Sequence, residues 1–203
     1  MVTGRRVLLG VDLGKRLTPT TIVAVEQQLG ERVWDAARHA WLHGQWNHAL
    51  VVRWLESIAL ETTYDAVARR IWTVAQNAGA SEIWMDGTGV GIAVEEMIRA
   101  RKPTGFRCAL RPIMITGGSQ ACSTSVPRIE LLTRLAVEWQ QDRVKVAPGL
   151  SRWPQLRKEL LALDGDGRKQ NVPDDLALGL ALAVWGFTGA GEKVGEQAAG
   201  RLF

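Results

Sequence analysis

Four carboxylates stand where a carboxylate is out of place. Asp12 is the one acid in the apolar run "VLLGVDLG", Asp86 closes "EIWMD" just before the glycine-rich "GTGVG", and Asp174 and Asp175 directly precede "LALGLALAVW". An acid among apolar residues is rare unless it is paired. If these positions converge, each charge raises the pKa of the others, and a half-buried cluster is costly until a cation neutralises it. Oxygen-only donors favour Mg²⁺ or Mn²⁺ over Zn²⁺, and two such ions about 3.5–4 Å apart activate a water and stabilise the leaving oxygen in phosphodiester hydrolysis. Each acid also has a plainer role open to it. Asp174 fits a helix N-cap worth about 1 kcal/mol, and Asp175 suits the positive end of a helix dipole. Asp86 fits the cap of a turn, and Asp12 fits a satisfied core acid. Coincidence at all three places in the sequence explains less than one shared site.

The elements that must position these acids read as alternating strands and helices. "RRVLLGVDL" and "TIVAVEQ" are strand-like, and "RVWDAARHAWL" completes an antiparallel three-stranded meander or forms a helix. From His48, the spacing of Leu50, Trp54 and Ile58, then of Val67, Ile71, Val74 and Ala75, predicts a helical segment broken near "ETTYD". "SEIWMD" is a strand whose carboxyl end carries Asp86, the end at which open α/β sheets place ligands. "IAVEEMIRARK" is an amphipathic helix stopped by Pro103, "FRCALRPIMI" a strand, and "TGGSQACSTS" a flexible loop. Pro127 introduces a helix whose Ile129, Leu132, Leu135, Ala136 and Trp139 share one face. "RVKVA" reads as an edge strand, "WPQLRKELLAL" as a helix, "DGDGRKQNVP" as a loop, and "DDLALGLALAVWGF" as a last helix. Its small residues Ala177, Gly179, Ala181 and Ala183 suit close packing on a sheet, which would bring its mouth beside Asp12 and Asp86. The expectation is an α/β domain over residues 1–187, with a central mixed sheet of five or more strands flanked by helices. The Gly/Ala-rich residues 188–203 read as a flexible tail.

Composition sets outer bounds. The 203 residues are 46% hydrophobic and 23% charged, the balance of an ordinary globular domain. No apolar run approaches the roughly 20 residues of a membrane span, and the amino-terminal run is broken by Gly10 and Asp12, unlike a signal peptide. A cytoplasmic protein with no membrane partner is expected. The net charge of +4 and a pI of about 9.4 are compatible with a polyanionic partner. Arg101, Lys102, Arg107, Arg152, Arg157, Lys158, Arg168 and Lys169 flank the acid-bearing segments and are the candidate contacts to DNA phosphates. No motif for reading base edges stands out, so sequence-tolerant binding is expected. Cys108 and Cys122 lack metal-ligand spacing and read as reduced, structural residues. His39, His43 and His48 are interrupted by Gly44 and have no nearby carboxylate, which argues against zinc.

Taken in order, "GVDLGKRLTPTTIVAVE", "TYDAVARRIWTVA", "WMDGTGVGIAVEEMI", "RPIMITGG", "SVPRIELLTRLAVEW" and "LRKELLALDGDGRKQNVPDDLALGLALAVW" resemble the nuclease domain of phage large terminase subunits. That resemblance covers most of the chain and implies an RNase H-like fold. It also implies a metal-dependent DNA endonuclease that cuts phage DNA during packaging, with Asp12, Asp86 and Asp174 or Asp175 holding Mg²⁺ or Mn²⁺, two ions in all. Double-stranded DNA is the implied substrate and the bacterial host's cytoplasm the implied setting. A separate packaging ATPase, portal or small terminase would be the implied partner. Three departures stand out. Pro173 occupies a place where the family often has His, "RLTPTT" lacks the acid often found after the first strand, and no G-x-x-x-x-G-K-[ST] motor motif is present. The chain thus reads as an isolated nuclease domain or a separately encoded nuclease. The competing readings are a Holliday-junction resolvase of the same superfamily and a non-catalytic DNA-binding or packaging module.

Overall fold

Strand β1 (Arg6–Asp12) is buried from Val7 to its end, and a strand covered on both faces needs a continuous apolar run rather than alternation. The computed structural model describes residues 5–14, 18–30, 32–37, 39–43, 48–88, 92–118, 121–122, 124–163 and 173–199. After β1 come β2 (Thr20–Leu29), β3 (Arg32–Asp35), β4 (Ala40–His43), β5 (His48–Ile58) and helix α1 (Tyr64–Ala78). Next are β6 (Glu82–Asp86), α2 (Ile92–Ala100), β7 (Ala109–Thr116), β8 (Ser125–Pro127) and α3 (Arg128–Gln140). The chain continues through β9 (Val144–Val146), α4 (Trp153–Leu161) and α5 (Asp175–Ala199).

Seven strands form one mixed sheet in the order β8-β7-β6-β1-β2-β5-β9. β1, β2 and β5 are antiparallel neighbours, and β6, β7 and β8 add in parallel on the other side of β1. Alternation along each strand divides the core in two. Val7, Leu9, Val11, Ile22 and Ala24 pack with α1 and α2 on one face. Leu8, Val23, Val25 and Trp84 pack with α3, α4 and α5 on the other.

Several elements depart from the sequence reading. The stretch from His48 is strand β5, not helix. Apolar residues four apart share a face in a strand as well as in a helix, so Leu50, Trp54 and Ile58 satisfied both periods. A register shift opposite Ala24 and Val25 breaks the strict alternation of β5, which brings Leu50, Val52 and Leu55 into the same core. β5 is therefore the third strand of the meander, while "RVWDAARHAWL" forms the separate β3–β4 hairpin. In α3, Leu131, Leu132, Leu135 and Glu138 are buried, whereas Ile129 and Trp139 remain about 40% exposed. They line a groove of about 680 Å³ against α4, where Trp139 stacks on Trp153. The last helix carries its backbone through Ala199. Among the described residues no helix is long and apolar enough to cross a membrane.

Candidate functional site

β1 and β6 run parallel with Val11 opposite Met85. One residue further along each strand, Asp12 and Asp86 end neighbouring strands at the same edge. Alternation puts Asp12 on the face of Leu8 and Asp86 on the face of Trp84, and both of those residues pack beneath α5. The two strand acids thus lie on the helix-α5 side of the sheet.

α5 reaches them because nothing stands between helix and sheet. A Cβ on Gly10 of β1 would lie 1.8 Å from the Gly179 carbonyl oxygen, and one on Gly179 would lie 3.1 Å from Val23 Cγ2. The small-residue stripe therefore acts as expected, letting backbone meet backbone. At the mouth of the helix, Thr21 of β2, the register partner of Asp12, donates its hydroxyl to the Asp175 carbonyl at 2.8 Å. This bond fixes the start of α5 across from Asp12.

The capping of α5 is divided between two acids. The Asp174 carbonyl accepts the Leu178 N–H at 2.8 Å, so Asp174 holds the N-cap position. A carboxylate from another helix reaches the first-turn donors: Glu159 of α4 accepts the Ala177 N–H at 3.0 Å, and Gln155 donates to its other oxygen at 3.0 Å. Burial pushes the Glu159 carboxyl above its ordinary value; these hydrogen bonds oppose the shift and the nearby Asp175 charge adds to it. With a first-turn donor satisfied by Glu159, the Asp174 side chain is engaged elsewhere. It is ion-paired with Arg128, the first residue of α3.

Arg128 is the residue that sequence reasoning missed. Burial lowers the pKa of its guanidinium, while the charges of Asp12 and Asp175 act to raise it. Among the described residues, the Arg128 guanidinium lies close to three buried carboxylates: Asp12, Asp174 and Asp175. Asp86 is half-buried beside them in the sheet. Its Oδ1 accepts the Thr88 N–H at 2.7 Å, so it does cap its turn. Thr88 in turn exchanges hydrogen bonds with Ile115 of β7, holding that turn against the sheet.

Carboxylate oxygens are the donors that Mg²⁺ and Mn²⁺ take. The donor chemistry fits a hard divalent cation. Among the described residues, no three His, Cys, Asp or Glu side chains stand in a ligating arrangement as they are. Asp174 is turned to the arginine instead.

No protein-family model and no curated protein matches the sequence. Solved structures do match the fold. The large terminase nuclease of thermophilic phage G20c, with bound magnesium, gives a TM-score of 0.59 over 89% of this chain and 81% of that chain, at 18% identity. The nuclease domain of the large terminase subunit of bacterial virus Sf6 gives 0.59 over 88% and 87%, at 13% identity. A mutant of that domain with manganese gives 0.58 over 88% of both chains, at 14% identity. The chain has the large terminase nuclease fold. Its sheet is the expected mixed, RNase H-like one, with seven strands.

Within the terminase nuclease fold the eight candidate phosphate contacts scatter. Arg101 is ion-paired with Asp65 of α1, and Lys102 donates to the Cys108 carbonyl at 2.6 Å. Both belong with the helices on the sheet face opposite the acids, and Arg107 is exposed just before β7. Arg152, Arg157 and Lys158 are exposed on or beside α4, the helix that supplies Glu159. Arg168 and Lys169 lie outside the described residues, as do Gly89, Gly91 and Ser119. Cys108 is buried as expected, and its thiol is pushed up to about 11 by that burial. Cys122 is exposed rather than structural, and hydrogen bonds from Ser125 and Thr124 hold its thiol down to about 6.

Proposed function

We propose that the protein is a metal-dependent DNA endonuclease, a hydrolase of phosphodiester bonds related in action to the large terminase nuclease. The observation that carries this reading is the gathering of Asp12, Asp174 and Asp175 near the Arg128 guanidinium, at the sheet edge where Asp86 also ends. Asp12, Asp86 and one acid of the Asp174/Asp175 pair would hold Mg²⁺ or Mn²⁺, two ions in all. Such ions, when bound, supply a water of lowered pKa and neutralise charge developing on the scissile phosphate.

The chain's own part is placement. Two adjacent parallel strands set the spacing of Asp12 and Asp86. The Gly10–Gly179 approach and the Thr21 bond set the distance of the helix acids from them. Glu159 occupies the helix-capping role at Ala177, which leaves the Asp174 carboxylate available for another partner. The exposed Arg152, Arg157 and Lys158 would contact the DNA backbone without reading sequence. A packaging ATPase, portal or small terminase is the partner that would bring DNA to this site.

Plasmid DNA incubated with the purified protein should be nicked or linearised with Mn²⁺ or Mg²⁺ and spared with EDTA. Unchanged cleavage by Asp12→Asn would overturn the reading. The Arg128–Asp174 pair favours one alternative, a non-catalytic DNA-binding module whose acids are neutralised from within. Retained DNA affinity with no Mn²⁺ uptake in calorimetry would establish that instead.

A further inference from the structure

We propose that Arg128 is a resident competitor for the divalent cation: it holds Asp174 while no ion is bound, and must release it when one binds. The inference rests on the reading of these acids as metal ligands. Its support comes from where the arginine sits.

Arg128 opens α3, where the helix dipole favours anions and a cation is misplaced. Pro127, at the N-cap, brings no side-chain capping bond to soften that cost. The side chain is also three-quarters withdrawn from solvent, at 25% exposure. A guanidinium in such a place needs compensating anions, and the compensation comes from α5 and β1: Asp174 by contact, Asp12 and Asp175 through their charges. Removing Arg128 would take away the cation paired with buried Asp174.

The exchange follows from charge. A divalent ion beside Asp12 and Asp174 would repel the guanidinium across a partly desolvated gap, where charges are weakly screened. A carboxylate oxygen committed to Arg128 is one fewer donor for the ion. Arginine pairing and metal loading therefore exclude each other at Asp174, and each weakens the other by the same factor.

The test is Mn²⁺ titration by calorimetry, paired with thermal unfolding in EDTA and in saturating Mn²⁺, on wild type, Arg128→Gln and Arg128→Lys. Arg128→Gln should bind Mn²⁺ about tenfold more tightly or better. It should unfold at lower temperature than wild type in EDTA and regain most of the difference in Mn²⁺. Arg128→Lys keeps the charge but loses the planar fork, so it should fall between the two. This second variant also serves if Arg128→Gln does not fold without metal. Mn²⁺ affinity equal to or weaker than wild type in both variants overturns the inference, even if Asp12→Asn abolishes Mn²⁺ binding and so upholds the metal site. Absence of Mn²⁺ binding in every variant and in wild type overturns the metal site and this inference together.

Discussion

A guanidinium–carboxylate pair stands near each end of helix α3, and the two differ: Arg143 is buried, whereas Arg128 is a quarter exposed. Beyond its carboxyl end, Arg143 donates from Nε and Nη2 to the two oxygens of Glu138 at 2.6 and 2.7 Å. His48 lies 3.5 Å from the same carboxylate. Burial pushes Glu138 up, yet the Arg143 fork and His48 hold it below its ordinary value. The Glu138 bond raises the Arg143 pKa, against the opposing effect of burial. At the amino end, burial lowers the Arg128 pKa against the raising charges of Asp12 and Asp175. The two-bond fork at the carboxyl end locks structure, whereas the contact at the amino end joins Arg128 to an acid of the proposed metal site.

The comparison breaks most visibly at the acid end. Asp12→Asn should reduce Mn²⁺-dependent plasmid cleavage by more than about a thousandfold. The same change removes one of several like charges, so the thermal midpoint in EDTA should stay level or rise. Loss of cleavage through unfolding, seen by circular dichroism, would erase the proposed difference between the ends.

Arg143→Met tests the carboxyl end. It strands Glu138 in a buried site and should cost about 3–5 kcal/mol in denaturant unfolding. Mn²⁺ affinity of the protein that remains folded should be unchanged. A large fall in that affinity would show the two ends to be coupled.

Gly10→Ala should act on both stability and the acid site, with a smaller effect. The new Cβ has nowhere to go but into the Gly179 carbonyl, so α5 must move, at a cost of about 1–3 kcal/mol. Because α5 carries Asp174 and Asp175, Mn²⁺ affinity should fall alongside stability. The Glu138–Arg143 pair does not involve this contact and should keep its contribution, measurable as an unchanged effect of Glu138→Gln in the Gly10→Ala background.

The smallest effect is in pH. A carboxyl whose folded pKa is depressed stabilises the fold above its unfolded value and loses that contribution as pH falls through the folded one. Glu138 is such a group, so wild type should lose stability as the pH drops below about 4.5. Glu138→Gln, less stable at neutral pH, should show a shallower acid limb. Parallel limbs for the two proteins would deny the pair its stabilising role.

The strand acids and the paired acids were legible because each interrupts an apolar run, and such a run identifies a buried element whichever way it folds. The order of segments carried the fold for the same reason. Arg128 was not legible, being one of 25 basic residues with no motif around it. The available signal was its sign, a cation at the start of a helix directly after Pro127, where an acid or a hydroxyl is the stable choice. Glu159 had a fainter one: it sits three residues after buried Leu156, on the apolar side of α4. β5 was misread because a spacing of four is common to both periods, and only its pairing with β2 decides between them.

The contact between Gly10 and Gly179 makes main chain the ruler for the acid site. Side chains soften as temperature rises, hopping rotamers well before a domain unfolds, and a spacing maintained by them would drift. A spacing maintained by two carbonyl-bearing backbones in contact has no rotamer to change. The distance between strand acid and helix acids should therefore hold up to the cooperative transition, so that heat inactivation and global unfolding occur as one event.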